Sequence, residues 1–314
     1  MSSTLARVDG LDSRPVGGPL GLAAAYFELT KPRIIVLLLV TTLAAMLMAA
    51  HGIPPLGLVF WTLLGGALSS ASAGALNCVY DADIDGLMRR TRTRPIPTGR
   101  IAIVPATLYA VALGILAFAI LFLFVNPLAA WLSLAGNLYY VGIYTMWLKR
   151  RTPLNIVIGG AAGSIPPLVG WAAVTGTLAP AAFGLFVLVF LWTPPHFWSL
   201  ALYAHGDYAR AGVPMLPVVA GARATRRRIM LYTLLLVPLT LLPWALGEAG
   251  RIYGLAAGGL GIGFLVSAWR VLRDAQDEAG RSLTKDAPAR AAFRYSILYL
   301  FVLFAALAVD RLVG

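Results

Sequence analysis

Charge is the scarcest property of this 314-residue chain: Lys, Arg, Asp and Glu together make up 12% of it, where a soluble domain carries about 25%. Acids are rarer still, 13 Asp and Glu in all, and there are three histidines. With 59% hydrophobic residues and a mean hydropathy of +0.80, a water-soluble globular core of this length is excluded. A single cysteine, Cys78, excludes an internal disulfide and a cysteine-based metal site. The apolar runs lack strict alternation, which excludes an antiparallel membrane barrel. The first 20 residues have no apolar run and contain Asp9 and Asp12, so they read neither as a cleaved signal nor as a transit peptide. Residues 1–28 are expected to form a disordered cytoplasmic tail.

What is present is uninterrupted apolar sequence. No charged residue occurs in the 43 residues Ile34–Leu76, the 48 residues Ile101–Leu148 or the 55 residues Thr152–Gly206. A span needs about 20 residues, so each run predicts two helices. Turn chemistry punctuates each near its middle: Gly52-Ile53-Pro54-Pro55, Asn126-Pro127, and Gly176 to Pro180. Three further windows follow, Ile229–Gly247, Ile252–Trp269 and Ala291–Val309. The expectation is an all-α polytopic membrane protein: one domain, residues 29–314, of nine transmembrane helices in a bundle.

The net charge of +12 would suggest nucleic acid in a soluble chain. Threaded through nine spans, 23 basic residues fall on the side of the N-terminus, leaving Arg251 and Arg311 on the other. The charge is therefore a topology signal and not a nucleic-acid footprint. It predicts a bacterial inner-membrane protein with a cytoplasmic N-terminus, a periplasmic C-terminus and function at the cytoplasmic mouth of the bundle.

The two largest loops on that side, Asn77–Arg100 and Tyr203–Arg228, hold the unusual residues. On a helix, residues four apart nearly eclipse, so Asn77, Asp81 and Asp85 would form one oxygen-bearing stripe, with Asp83 turned away. Such a stripe at the end of a span suits a hard cation such as Mg²⁺ and leaves it open to phosphate oxygens. Next comes Arg89-Arg90-Thr91-Arg92-Thr93-Arg94-Pro95. Acids that hold a metal beside arginines that take phosphate oxygens are the pairing a diphosphate needs. Lys31 and Lys149, at the ends of the first and fourth spans, either join this pocket or snorkel to headgroups. In the second loop Asp207 is the lone carboxylate and a candidate further ligand; Tyr203, four residues before it, either hydrogen-bonds a phosphate or lines the wall.

Asn77-x-x-x-Asp81-x-x-x-Asp85 followed by Arg90-Thr91-Arg92-Thr93-Arg94-Pro95 resembles the hallmark of the UbiA-type intramembrane prenyltransferase superfamily, whose members have nine helices and a second aspartate motif after the sixth. Four stretches resemble its haem-accepting branch: Leu29 to Arg33, Leu148 to Gly160, Trp192-Thr193-Pro194-Pro195-His196-Phe197-Trp198, and Asp207-Tyr208 through Pro217. The second motif departs from the general pattern, with Tyr203 where many members have aspartate. The resemblance implies transfer of a farnesyl group from farnesyl diphosphate to haem B, with water, giving haem O and diphosphate. It also implies Mg²⁺ as cofactor, held by Asn77, Asp81, Asp85 and Asp207; diphosphate contacts from Lys31, Arg90, Arg94 and Lys149; and haem contacts from His196, Trp192 and Asn155. A haem A synthase is the implied downstream partner. Tyr80, Tyr144 and Trp192 are the aromatic faces that could stabilise an allylic cation.

Other residues read more plainly. Gly159, Gly160 and Gly163 let a neighbour or a bulky ligand approach closely. His205 adjoins the second loop's aspartate, His51 reads as structural, Cys78 as a packing residue, and Asp274, Asp277 and Glu278 as solvated. A prenyltransferase for 4-hydroxybenzoate would show two aspartates in the second motif and no His-Phe-Trp. A haem or ion transporter would place acids near the bilayer midplane. Here they lie at helix ends.

Overall fold

Inside a bilayer every backbone N–H and C=O must find a partner within the chain, so long apolar runs become helices. The computed structural model describes residues 18–278 and 280–313. The helices are α1 (Gly18–Leu29), α2 (Pro32–Ala50), α3 (Leu56–Tyr80), α4 (Ala82–Asp85), α5 (Ile103–Phe124), α6 (Pro127–Leu138), α7 (Asn155–Thr175), α8 (Pro180–Tyr203), α9 (His205–Arg210), α10 (Leu216–Val219), α11 (Gly221–Ala245), α12 (Arg251–Leu272) and α13 (Ala287–Val313). Among the described residues there is no β-strand, only an isolated bridge between Gln276 and Ser282.

Eight helices, α2, α3, α5, α7, α8, α11, α12 and α13, are long and apolar enough to cross a membrane. The remaining expected span is built differently. Helix α6 ends at Leu138 and continues directly as a π-helix, Tyr139–Trp147, then a short 3₁₀ turn, Leu148–Arg150. The expected punctuation holds. Asn126 caps α6 by accepting the N–H of Ala129 at 2.9 Å, with Pro127 in the first turn. Gly176 ends α7 at φ 68° and Pro180 opens α8.

Helices α7 and α8 form the enclosed centre: α7 packs on α2, α6 and α8, and α8 on α11 and α13. Gly170 makes the α2–α7 approach possible, because a Cβ there would lie 2.3 Å from the carbonyl oxygen of Thr42. Pro194 and Pro195 lie within α8, which continues through them to Tyr203.

Two expectations change. Of the tail 1–28, residues 1–17 lie outside the described residues, whereas residues 18–28 are helical: α1 buries Ala25 and Leu29 in a cluster with Ala75, Cys78 and Ile101. That cluster confirms Cys78 as a packing residue. Asp274 is not solvated. It is buried and accepts a 3.1 Å hydrogen bond from Nη2 of Arg226, itself only 1% exposed. The same guanidinium reaches Asp286 at 3.3 Å and the Gly280 carbonyl at 3.3 Å. One buried cation thus ties α11 to the α12–α13 connection, so a residue that hydropathy counts only as topology is part of the core. At the opposite end of the bundle, Asp310 near the end of α13 accepts the N–H groups of Gly250, Ile252 and Tyr253 and caps α12 from a distance.

Candidate active site

The stripe Asn77–Asp81–Asp85 survives in its hydrogen-bond register but not as one helix. Helix α3 ends at Tyr80, and Asp81, at the joint before α4, keeps N–H to the Asn77 carbonyl at 2.9 Å while its own carbonyl accepts Asp85 N–H at 2.8 Å. All three side chains are buried. Asn77 Nδ2 donates to Asp81 Oδ2 at 2.7 Å and to Thr145 Oγ1 at 3.1 Å. Lys31 Nζ donates to Asn77 Oδ1 at 2.5 Å.

Lys149 pairs with Asp81 Oδ2, and Arg94 with Asp85 Oδ2 at 2.7 Å. Both lysines therefore reach the carboxylate pocket rather than headgroups. Burial lowers the pKa of Lys31, against the opposing pull of Asp81 and Asp85. Asp81 Oδ1 is buried with no hydrogen-bond partner, with Arg150 Nη2 3.8 Å away. Asp83 faces outward, as expected. Arg150 forks onto it with two 2.7 Å hydrogen bonds that hold its carboxyl below the ordinary value.

The second loop folds onto the first. The backbone N–H of Arg90 donates to Asp207 Oδ2 at 3.4 Å, and Arg210 pairs with the other oxygen. Beneath, Tyr208, Val213 and Met215 pack with Ile84, Met88, Ile156 and Ala201 in one apolar cluster, against which Tyr144 and Phe197 lie. Burial raises the pKa of the Tyr208 phenol, with Arg90 acting against it.

A second group lines the α8–α13 seam. His196 Nδ1 lies 2.7 Å from Ser296 Oγ, and its ring is stacked between Trp192 (4.3 Å) and Phe293 (4.7 Å). Trp192 Nε1 donates to the Ser296 carbonyl at 2.8 Å. Phe293 also meets Tyr203, whose ring carries the Arg290 guanidinium at 4.5 Å. Phe197 packs edge-on against His196 and links this group to the apolar cluster of the loops. Asn155 is wholly buried and donates to the backbone carbonyls of Thr152 (2.7 Å) and Lys149 (3.4 Å), so it holds the turn that presents Lys149.

Sequence reading missed Thr145 and Arg150. Thr145 precedes Lys149 by four residues, and that spacing was the available signal. Arg150 looked like topology because it stands in a Lys-Arg-Arg run. The glycine cluster splits: a Cβ on Gly159 would lie 2.2 Å from Tyr144 Cδ2 and one on Gly160 3.0 Å from Thr193 Cγ2, while Gly163 meets nothing within 4 Å. The first two glycines admit protein side chains, not a ligand. Among the described residues no three His, Cys, Asp or Glu side chains converge on one point.

A protein of Granulibacter bethesdensis named protoheme IX farnesyltransferase is 56% identical over 292 residues, 93% of this chain and 92% of its own. The protein of the same name from Acidiphilium cryptum is 55% identical over 291 residues, with the same shares. Among solved structures, digeranylgeranylglyceryl phosphate synthase superposes with a TM-score of 0.73 at 19% identity, over 92% of this chain and 98% of that one. A UbiA homologue from Archaeoglobus fulgidus bound to DMAPP and Mg²⁺ does so with a TM-score of 0.63 at 20% identity, over 89% and 99%. These two share the helical fold of this chain. The UbiA prenyltransferase pattern itself spans residues 38–298, from within α2 into the first half of α13, and the chain belongs to the UbiA prenyltransferase family.

Proposed function

We propose that the chain transfers the farnesyl group of farnesyl diphosphate to a vinyl group of haem B, with addition of water, giving haem O and diphosphate. The observation that carries this reading is the buried Asp81, with one oxygen unpartnered, ringed by Lys149, Lys31 and Asn77 at the end of an apolar bundle. The choice of haem rests on the likeness to proteins named for that reaction over 93% of the chain. The basic side of the bundle is read as cytoplasmic, in a bacterial inner membrane, and haem O would pass to a haem A synthase.

An all-oxygen set with a free buried carboxylate oxygen fits a hard divalent cation. Asn77, Asp81 and Asp85, with Asp207, would hold Mg²⁺, drawing together carboxylates that in this structure each pair with a basic side chain and do not converge on one point. Bound there, it would neutralise diphosphate oxygens as the leaving charge grows. Lys149 and Arg94 are preorganised cations on two of these carboxylates, Lys31 stands on the Asn77 amide oxygen, and Arg90 lies where the two loops meet. Their charge opposes the one that develops as the allylic C–O bond breaks and its electron pair leaves with diphosphate.

Tyr144 offers an aromatic face to the allylic carbon from within the apolar cluster, whereas the Tyr80 ring is already covered by Arg150 at 4.8 Å. The cluster of Ile84, Met88, Tyr208 and Met215 keeps water from that carbon. The vinyl electrons then form the new C–C bond. Water adds to the neighbouring porphyrin-side carbon and loses a proton. His196 and Trp192 form the acceptor wall. With Nδ1 of His196 engaged by Ser296, Nε2 is the nitrogen left for haem. Asn155 and Tyr203 position the loops around it.

The test supplies purified protein in lipid with haem B, farnesyl diphosphate and Mg²⁺ and reads product mass beside Asp81→Ala. A mass gain matching hydroxyethylfarnesyl addition, lost without Mg²⁺ and in the variant, is expected. Prenylation of 4-hydroxybenzoate in place of haem would overturn the acceptor. No product with either acceptor, in folded protein, would overturn prenyl transfer.

A further inference from the structure

Away from the carboxylate site, the ends of α11, α12 and α13 on the basic side form two adjoining open depressions of about 580 and 330 Å³ that share Trp269 and Arg273. The smaller is lined by Arg223, Arg226, Arg227 and Arg273 and by no carboxylate; the larger adds Arg270. Asp274 also lines the larger, but its oxygens are committed to Arg226 and to Thr284 Oγ1 at 2.6 Å. None of these residues belongs to the active site.

Five arginines so close repel one another, and an anion relieves that repulsion. The guanidinium fork matches phosphate oxygens in pairs. Arg226 is fully buried and its Nε–H has no hydrogen-bond partner, although its other nitrogens bind Asp274, Asp286 and the Gly280 carbonyl. The Arg273 guanidinium lies 4.8 Å from the centre of the Trp269 ring, which braces it at the pocket mouth.

The anion's source is written on α12. Leu255, Ile262, Val266 and Trp269 are all exposed, and their spacings of seven, four and three residues place them on one helix face. That stripe leads along the span to the arginines. Trp269 at its end is the amphipathic ring expected at a membrane–water boundary. A soluble phosphate would use the arginines alone; a lipid would use the stripe as well.

We propose that this pocket binds the phosphate head group of an anionic phospholipid, with an acyl chain along the α12 stripe. Basic pockets between spans are a recognised mode of anionic-lipid capture. The bound lipid joins α11, α12 and α13 where Arg226 already joins them from inside.

The test uses the full chain, delipidated in neutral detergent, titrated with phosphatidylglycerol, phosphatidylcholine or inorganic phosphate. Retained lipid is read by native mass spectrometry and thermal stability alongside. Phosphatidylglycerol is expected to bind at least tenfold more tightly than phosphatidylcholine, to raise the melting temperature, and to resist displacement by an equal concentration of phosphate. Arg227→Gln and Arg273→Gln, both at exposed side chains, are each expected to weaken it at least tenfold, and Arg251→Gln at the far end of α12 to leave it unchanged. Equal binding of the two lipids by the wild type overturns the proposal without recourse to any variant. Displacement by phosphate alone reassigns the pocket to a soluble anion, and wild-type affinity in both arginine variants places the lipid elsewhere.

Discussion

Lys31 reaches across 46 residues of sequence to donate a 2.5 Å hydrogen bond to Oδ1 of Asn77. Two local features aim it there. Lys31 adopts a left-handed conformation, φ 57°, before Pro32 starts α2. Gly74, one turn before Asn77, has no side chain where a Cβ would lie 3.2 Å from the Thr30 carbonyl, so the α1–α2 turn can rest on α3. Lys31→Met is expected to lower kcat by about 10²–10³. The melting temperature should hold, because a desolvated amine is replaced by an apolar chain of similar length. Initial rates and thermal melts in the same lipid check both parts.

Gly159 and Gly163 make a paired test. Gly159→Ala drives a methyl into the Tyr144 ring, 2.2 Å away, and is expected to cost about 1–3 kcal/mol, as overpacking does. It should also lower activity, because Tyr144 belongs to the π-helix that leads to Thr145 and Lys149. Gly163→Ala meets nothing within 4 Å and should change neither. Chemical denaturation and product assays on the two variants separate these outcomes.

The Arg226 cluster predicts opposite behaviour for its two acids. Asp274→Ala leaves a buried guanidinium under-compensated and is expected to cost about 3–5 kcal/mol. Burial raises the folded pKa of Asp286, with Arg226 opposing. A carboxyl raised in the folded state holds its proton longer there than in the unfolded chain. Its contribution is therefore greatest at low pH and declines as pH climbs from the ordinary 3.8 through the folded value. Asp286→Asn should remove that part of the decline. Melting temperature against pH for wild type and variant reads it directly.

Asp310→Ala removes the remote cap from the start of α12 and is expected to cost about 1–2 kcal/mol. Activity per folded molecule should stay at the wild-type level, since this end of the bundle lies across the membrane from the carboxylates. Stability and specific activity measured on one preparation test the separation.

The spans and their turns were readable from local chemistry, because Asn126-Pro127 or Gly176 to Pro180 needs no distant partner to act. The first aspartate motif was readable for the same reason: its residues are four apart. What escaped depends on residues far apart in sequence. Arg226 looks like any basic residue at a span end until Asp274 and Asp286 fold against it. Arg150 shows its use only beside Asp83. The π-helix at Tyr139–Trp147 leaves no mark in hydropathy, since all nine residues read as ordinary span. Asn155 lies in the stretch that marks the haem branch; its amide nitrogen holds the turn carrying Lys149, a use no local pattern shows, while its Oδ1 stays without a partner.

The pairing of Asp81 with Lys149 spans 68 residues and two membrane crossings, α5 and the α6–π segment. During synthesis, therefore, the second span leaves the ribosome with an acid at its end whose lysine has not yet been made. Asp207 comes later still, and its contact with Arg90 needs both loops in place. Chains halted after the third span lack both Lys149 and Asp207, and should hold Asp81 without its lysine at the membrane surface. Assembly of the pocket is thus a late event in insertion: the segment that starts at Pro127 brings Lys149, and the pocket is completed only when α8 has threaded and delivered Asp207.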